Sequence, residues 1–160
     1  MRRAEGDYDG VFAAEYAPVL RTVYLVCHDL PLAQDVTQDA FVELLRHWGK
    51  VSRYDRPGAW VRRVAIRRLL KVRRRDARRR QAELSFEPGS AGGSSDLDVL
   101  RAGAGLPLRQ RTAVVLYYYE DRPLHEVAEI LDCSPSTAAA HVHRARAKLG
   151  NLLKEVSHDG

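Results

Sequence analysis

Between residues 62 and 80 the chain carries 11 basic side chains and one acid, Asp76. Guanidinium and ammonium groups at that density have one obvious chemistry, the binding of phosphate oxygens. The rest of the chain does not share it. Residues 1–61 hold 7 basic and 9 acidic groups, residues 81–104 hold 1 and 4, and residues 105–160 hold 7 and 7. The formal net charge of +5 therefore arises from one stretch, which favours a local polyanion contact over a uniformly basic carrier. Tyr54 and Trp60 flank its start, and aromatic faces beside cations suit unstacked single-stranded bases. Trp60 fits a hydrophobic core equally well. The bland alternative for the arginines is a solvated helix running into a basic tail.

A second constellation lies near the C-terminus. Leu124, Val127, Ala128 and Leu131 give one face of a short helix, and Asp132-Cys133-Ser134 has the length of a tight turn. Ser134 followed by Pro135 is a strong helix start, and Ala138, Val142, Ala145 and Leu149 form the next apolar stripe. Helix, short turn and longer helix is the helix-turn-helix pattern, whose second helix enters the DNA major groove by its N-terminal end. Ser136, Thr137, Ala140, His141, Arg144 and Lys148 are the positions that pattern leaves to face outward. An ordinary helical hairpin with a basic face is the alternative.

Catalytic chemistry has no support. The chain lacks a Gly-rich phosphate loop, a His-Glu-x-x-His pair, a Gly-x-Ser-x-Gly elbow and a Cys-His pair at useful spacing. His141 and His143 sit two apart on a predicted helix and point to different faces. Cys27 and Cys133 have no neighbouring ligand at zinc-finger spacing. No enzyme activity, metal or cofactor is expected. The longest apolar run, Ala113 to Tyr119, falls far short of a membrane span, and the N-terminus has no signal-peptide core. A reduced cytoplasmic protein without a membrane contact is the expectation.

The elements that must position these groups are helical throughout. Phe12, Tyr16, Val19, Val23 and Cys27 repeat at three to four residues, with Pro18 expected to split the stretch into two helices. Asp29, Leu30 and Pro31 mark the next start. Ala33, Val36, Ala40, Phe41, Leu44, Leu45 and Trp48 line its apolar face, Gly49 is expected to end it, and Asp35, Gln38, Asp39 and Glu43 occupy its polar face. A loop over Lys50 to Arg56 leads to a third long helix from Pro57, with Val61, Ala65, Leu69 and Val72 inward. Residues 81–104 have linker composition, and 24 free residues reach about 80 Å when extended. The reading is all-α: two small helical domains, 1–80 and 105–160, joined by a flexible linker, 81–104.

Together the two modules resemble an RNA polymerase sigma factor of the extracytoplasmic-function type, sigma-E-like and actinobacterial, which keeps only regions 2 and 4. In region 2 the resemblance is carried by Phe12, Tyr16, Leu20, the run Ala33-Gln34-Asp35-Val36-Thr37-Gln38-Asp39-Ala40-Phe41, and Ala59-Trp60-Val61-Arg62-Arg63-Val64-Ala65. In region 4 it is carried by Leu106–Arg111, Glu126–Leu131, Cys133–Thr137 and Arg144–Leu149. The resemblance implies promoter recognition and strand opening for the core polymerase. By position, Asp35, Gln38, Asp39 and Glu43 match the face that docks on the clamp helices of the polymerase largest subunit. Val51 to Asp55, with Arg53 and Tyr54, match the loop that captures a flipped base of the −10 element. Trp60, Arg63, Arg67 and Lys71 lie where the family grips the −10 strand. Ser136, Thr137, Ala140, His141 and Arg144 lie where it reads the −35 element. Promoter DNA and core polymerase are the implied partners, with an anti-sigma factor as a further candidate.

The chain departs from the family pattern in three places. Arg67 and Lys71 replace an amide and an acid usual in the third helix of region 2. Thr137-Ala138-Ala139-Ala140-His141 stands where Thr-Val-Lys-Ser-Arg is usual, removing two cations and a hydroxyl from the recognition helix. His28 lies near a usual glycine. A DNA-operator regulator that ignores polymerase is one alternative reading, and an interaction protein with the sigma fold but weakened −35 binding is another. The exposed acid and amide face argues against the first, and the alanine run motivates the second.

Overall fold

The computed structural model describes the backbone over residues 2–83 and 105–158, and side chains over residues 8–80 and 105–151. The expected linker thus falls almost wholly outside the described residues. The chain packs as two compact units, Met1–Arg73 and Arg74–Gly160. That division falls inside a helix, a little before the compositional boundary at residue 80. Among the described residues there is no β-strand.

The first unit holds α1 (Arg2–Cys27), α2 (Leu30–Arg46), α3 (Trp48–Val51) and the part of α4 (Pro57–Glu83) up to Arg73. Contrary to the sequence expectation, Pro18 does not split α1 but lies within it. The carbonyl that Pro18 leaves without a donor is that of Ala14, an exposed residue where water can serve instead. Packing holds both sides of the proline in line. Before it, Phe12 and Tyr16 stack on Phe41 of α2 at 5.0 and 5.7 Å, and Tyr8 meets Trp48 edge-on at 5.6 Å. After it, Val19, Val23 and Val26 are fully buried. By length and composition the part of α1 over Tyr8–Cys27 would suffice to cross a membrane, a property that counting unbroken apolar runs overlooks. In this fold one face of it packs against the core, and its Glu15 forms an ion pair with Arg62 of α4.

α1 ends at His28, whose N–H donates to the Tyr24 carbonyl at 2.8 Å and whose φ of 54° lies in the left-handed region. Asp29 then caps α2, its carboxylate accepting from the Leu32 N–H at 3.1 Å, as the Asp-Leu-Pro start signal predicts. Ala33, Val36, Thr37, Ala40, Phe41 and Leu44 are the buried face of α2. Leu45, expected on that face, is 58% exposed because it falls one residue beyond the stripe that Leu44 completes. Nor does Gly49 end α2. The helix stops at Arg46, and Gly49 lies inside α3, whose Trp48 and Val51 are buried. The expected loop is therefore shorter, Lys50 and Val51 belonging to α3. In α4, Val61, Ala65, Ile66 and Leu69 form the core side, whereas Val72 is only half-buried.

The second unit holds α5 (Leu108–Val114), which widens into a π-helical turn over Val115–Tyr119, then α6 (Leu124–Leu131) and α7 (Pro135–His158). Leu116, Val127, Ala128, Ile130, Leu131, Ala138, Val142 and Ala145 meet in its core, while Leu149 is half-buried. The Arg109 guanidinium donates to the Leu131 carbonyl and so ties the end of α6 to α5. The wide turn had no signal beyond the apolar run Ala113 to Tyr119.

Candidate functional site

The turn between α6 and α7 is built as the sequence predicts. Asp132 adopts the left-handed conformation (φ 54°, ψ 53°), which lets the Cys133 N–H return to the Ala128 carbonyl at 3.0 Å. Ser134 then caps α7, its hydroxyl oxygen accepting the Thr137 N–H at 3.1 Å. With α6 anchored by Arg109, the N-terminal turns of α7 are held outward. Ser136, Thr137 and Arg144 are exposed, as expected. Ala140 and His141 are half-buried, so His141 is less free than its helical position suggested. Its Nδ1 is buried without a hydrogen-bond partner. Burial, with the charges of Arg109 and Arg144, holds this imidazole below its ordinary pKa and favours the neutral ring. With Nδ1 buried, the neutral ring can offer a partner at most its Nε2, as one donor or one acceptor, which suits a base edge better than a phosphate.

In the first unit the polar face of α2 divides into two parts. Asp35 and Gln38 are exposed. Asp39 and Glu43 are instead engaged by Arg68 of α4, at 3.7 and 3.1 Å. Glu43 is only 22% exposed at its side chain and also meets Arg46 at 3.1 Å and His47 at 3.6 Å. It is a structural hub joining α2 to α4 more than a free docking acid. His47 in turn lies 5.7 Å from the Trp60 ring. Trp60 is half-buried, which leaves part of the indole accessible beside the start of α4.

The cations on α4 do different work. Arg62 pairs with Glu15 at 2.6 Å, and Arg73 donates to the Cys27 carbonyl at 3.2 Å, serving as a C-terminal cap for α1. Arg63, Arg67 and Lys71 recur every four residues and share one helix face, with Arg67 and Lys71 exposed. Arg53 and Tyr54 are exposed in the turn that leads to α4, Tyr54 by 42%. The arrangement offers aromatic and cationic side chains along α4 and in the turn before it, and an acid and amide surface on α2. Among the described residues no cluster of three or more His, Cys, Asp or Glu side chains could hold a metal. The bracing residues Arg68, Glu15 and His47 escaped sequence reasoning, because their partners lie on other elements.

A family model for sigma-70 region 2 matches residues 11–80, and one for sigma-70 region 4 matches residues 96–149. The chain belongs to the sigma-70 family. It is an extracytoplasmic-function sigma factor, a protein that directs RNA polymerase to promoters. The sigma factor's region 4 match begins within the stretch read as linker. It is 24% identical to RNA polymerase sigma factor YlaC of Bacillus subtilis over 153 residues, which cover 88% of each chain. It is 28% identical to ECF RNA polymerase sigma factor SigM of Mycobacterium tuberculosis over 151 residues, covering 91% of this chain and 76% of that one. In fold it is similar to the sigma factor RpoE of Bartonella quintana, solved in complex with the anti-sigma factor NepR. That match has a TM-score of 0.76 at 20% identity and covers 92% of this chain and 97% of the other.

Proposed function

We propose that this sigma factor divides its work between the two modules. Residues 1–80 dock on the core polymerase and hold the melted −10 strand, and residues 105–160 read the −35 element. Docking falls to Asp35 and Gln38, with Asp39 at the edge of that face and Glu43 behind it as a brace. Arg53, Tyr54, Trp60, Arg63, Arg67 and Lys71 take the −10 strand, where capture of unstacked bases drives opening without a catalytic step. Ser136, Thr137, Ala140, His141 and Arg144 face the −35 major groove. Clamp helices of the largest polymerase subunit are the docking target, and the cytoplasm is where that enzyme works. An anti-sigma factor fits the reading as a further partner, by likeness to the complex of RpoE with NepR. The sigma-E-like actinobacterial subtype is part of the proposal, and the likeness to the mycobacterial relative supports it.

One observation carries the docking assignment. Asp35 and Gln38 stand exposed on a helix whose other side is packed in the core, and neither makes an ion pair or hydrogen bond among the described residues. An operator-binding regulator has no use for such a face. Asp35→Ala with Gln38→Ala should lower affinity for core polymerase at least tenfold, while stability shifts by no more than about 0.5 kcal/mol, as expected for surface positions. Core affinity equal to wild type, measured by competition against a labelled sigma factor, would remove the assignment.

A further inference from the structure

The first turns of α7 depart from the family pattern in a way that the −35 reading leaves unexplained. From Ser136 to His141 there is no Lys, Arg, Asp or Glu, and the first cation beyond them on the outward face is Arg144. These turns can offer a DNA groove close contact but little phosphate attraction. At about 100° per residue, the buried Ala138, Val142 and Ala145 fall within about 60° of one another around the helix. Ala140 lies about 200° round from Ala138, on the side away from that stripe. The exposed Ser136 and Arg144 stand about 40° to either side of it. The middle of the outward face is thus a methyl group, half-buried between polar neighbours. Thr137, one turn earlier, has its hydroxyl 2.9 Å from that of Ser134 within the helix cap, so the other group it presents is its γ-methyl.

We propose that Ala140 selects thymine at one position of the −35 element by packing on the C5 methyl group of the base. The proposal rests on the reading of α7 as the groove helix. The chemistry of the major groove makes the match. Every base pair presents hydrogen-bonding groups there, but thymine alone adds a methyl. A donor or acceptor set against Ala140 would lose its water and gain no partner, which is costly. The thymine methyl carries no such penalty and gains from leaving water. Side-chain length points the same way. At Ala140 only a Cβ separates the helix backbone from the base, so α7 can approach closely. Polar discrimination then falls to the neighbours: the Ser136 hydroxyl, His141 through Nε2, and the Arg144 guanidinium.

The test uses holoenzyme reconstituted with core polymerase and a duplex library randomised over both promoter elements. Sequences retained at limiting protein should carry thymine at one fixed position of the upstream element. Uracil at that position removes the C5 methyl and leaves the pairing and the O4 acceptor unchanged. It should weaken binding by roughly two- to fivefold, the worth of one methyl withdrawn from a packed contact. Ala140→Ser places there the residue usual in the family, so the fold should tolerate it. That variant should bind the thymine and uracil duplexes equally, while the preferences at neighbouring positions persist. The slope of log affinity against log salt should be the same for both proteins, since no phosphate contact is touched. A thymine preference that uracil satisfies, or a difference that survives Ala140→Ser, belongs to duplex shape and overturns the proposal. An upstream preference without thymine overturns it too, and leaves the groove reading of α7 standing. A library with no upstream preference at all removes that reading, and the proposal with it.

Discussion

Gly58 is the residue where a small change should expose how α4 is set against α1. A Cβ built there would lie 2.5 Å from Glu15 Cδ and 2.7 and 2.9 Å from its two oxygens. To reach ordinary contact at 3.4 Å the carboxylate must retreat by 3.4 minus 2.5, or about 0.9 Å, and it is the same carboxylate that holds Arg62 at 2.6 Å. The Glu15 and Arg62 side chains are 27% and 25% exposed, so their pair falls between the surface and buried limits, about 1–2 kcal/mol. Against that loss stands the gain from replacing glycine by alanine in a helix, about 0.5–1 kcal/mol. Gly58→Ala alone should therefore destabilise the first unit by about 0.5–1 kcal/mol. In a Glu15→Ala background nothing remains to be displaced, and the same substitution should stabilise by about 0.5–1 kcal/mol. Both tryptophans, Trp48 and Trp60, belong to the first unit, so urea unfolding followed by their fluorescence reports on that unit in the full chain. A double-mutant cycle should return a coupling of about 1–2 kcal/mol. If Gly58→Ala shifts stability equally in both backgrounds, the pair is not what places α4.

Two further outcomes follow from backbone and protonation. His28 holds a left-handed φ of 54°, which costs a non-glycine residue about 1 kcal/mol; glycine would recover this less about 0.5 kcal/mol of added unfolded-state freedom, so His28→Gly should raise the first unit's stability by about 0.5 kcal/mol in the same urea assay. His141 has a folded pKa below its unfolded value, so the unfolded state binds the proton more readily; stability of the second unit should be flat above about pH 6.5 and fall as pH drops below it, and His141→Gln should remove that component in circular-dichroism melts between pH 7.5 and 5.5.

The parts of the fold that were legible in the sequence are those whose signals are local. Ser134-Pro135 and Asp29-Leu30-Pro31 declare helix starts within a single turn, and both caps form as read. What was not legible depends on distant partners. Pro18 breaks a helix in isolation, yet aromatic stacking on one side and three buried valines on the other keep α1 continuous. Glu43 belongs to an exposed-looking polar stripe, and only the arrival of Arg68, 25 residues later, turns it into a brace. Helical period places a residue on a face, but it does not say which other helix will cover that face.

That distinction bears on how the departures from the family pattern should be read. Ala138 is fully buried, so that departure falls on the core side of α7, whereas Ala139 and Ala140 are half-buried beside its outward face. On the proposed reading of α7 as the groove helix, the altered chemistry is confined to positions 139 to 141, where two cations and a hydroxyl are usual and two small apolar groups and a neutral-leaning imidazole stand instead. On α4 the change runs the other way: Arg67 and Lys71 stand where an amide and an acid are usual, and five exposed arginines follow. The proposed assignment thus puts more cationic charge on α4 than on α7. Since each phosphate contact adds about 0.9 to the salt slope without adding sequence information, the proposed assignment would leave α7 the few contacts that discriminate bases and α4 the charge that acts on any promoter.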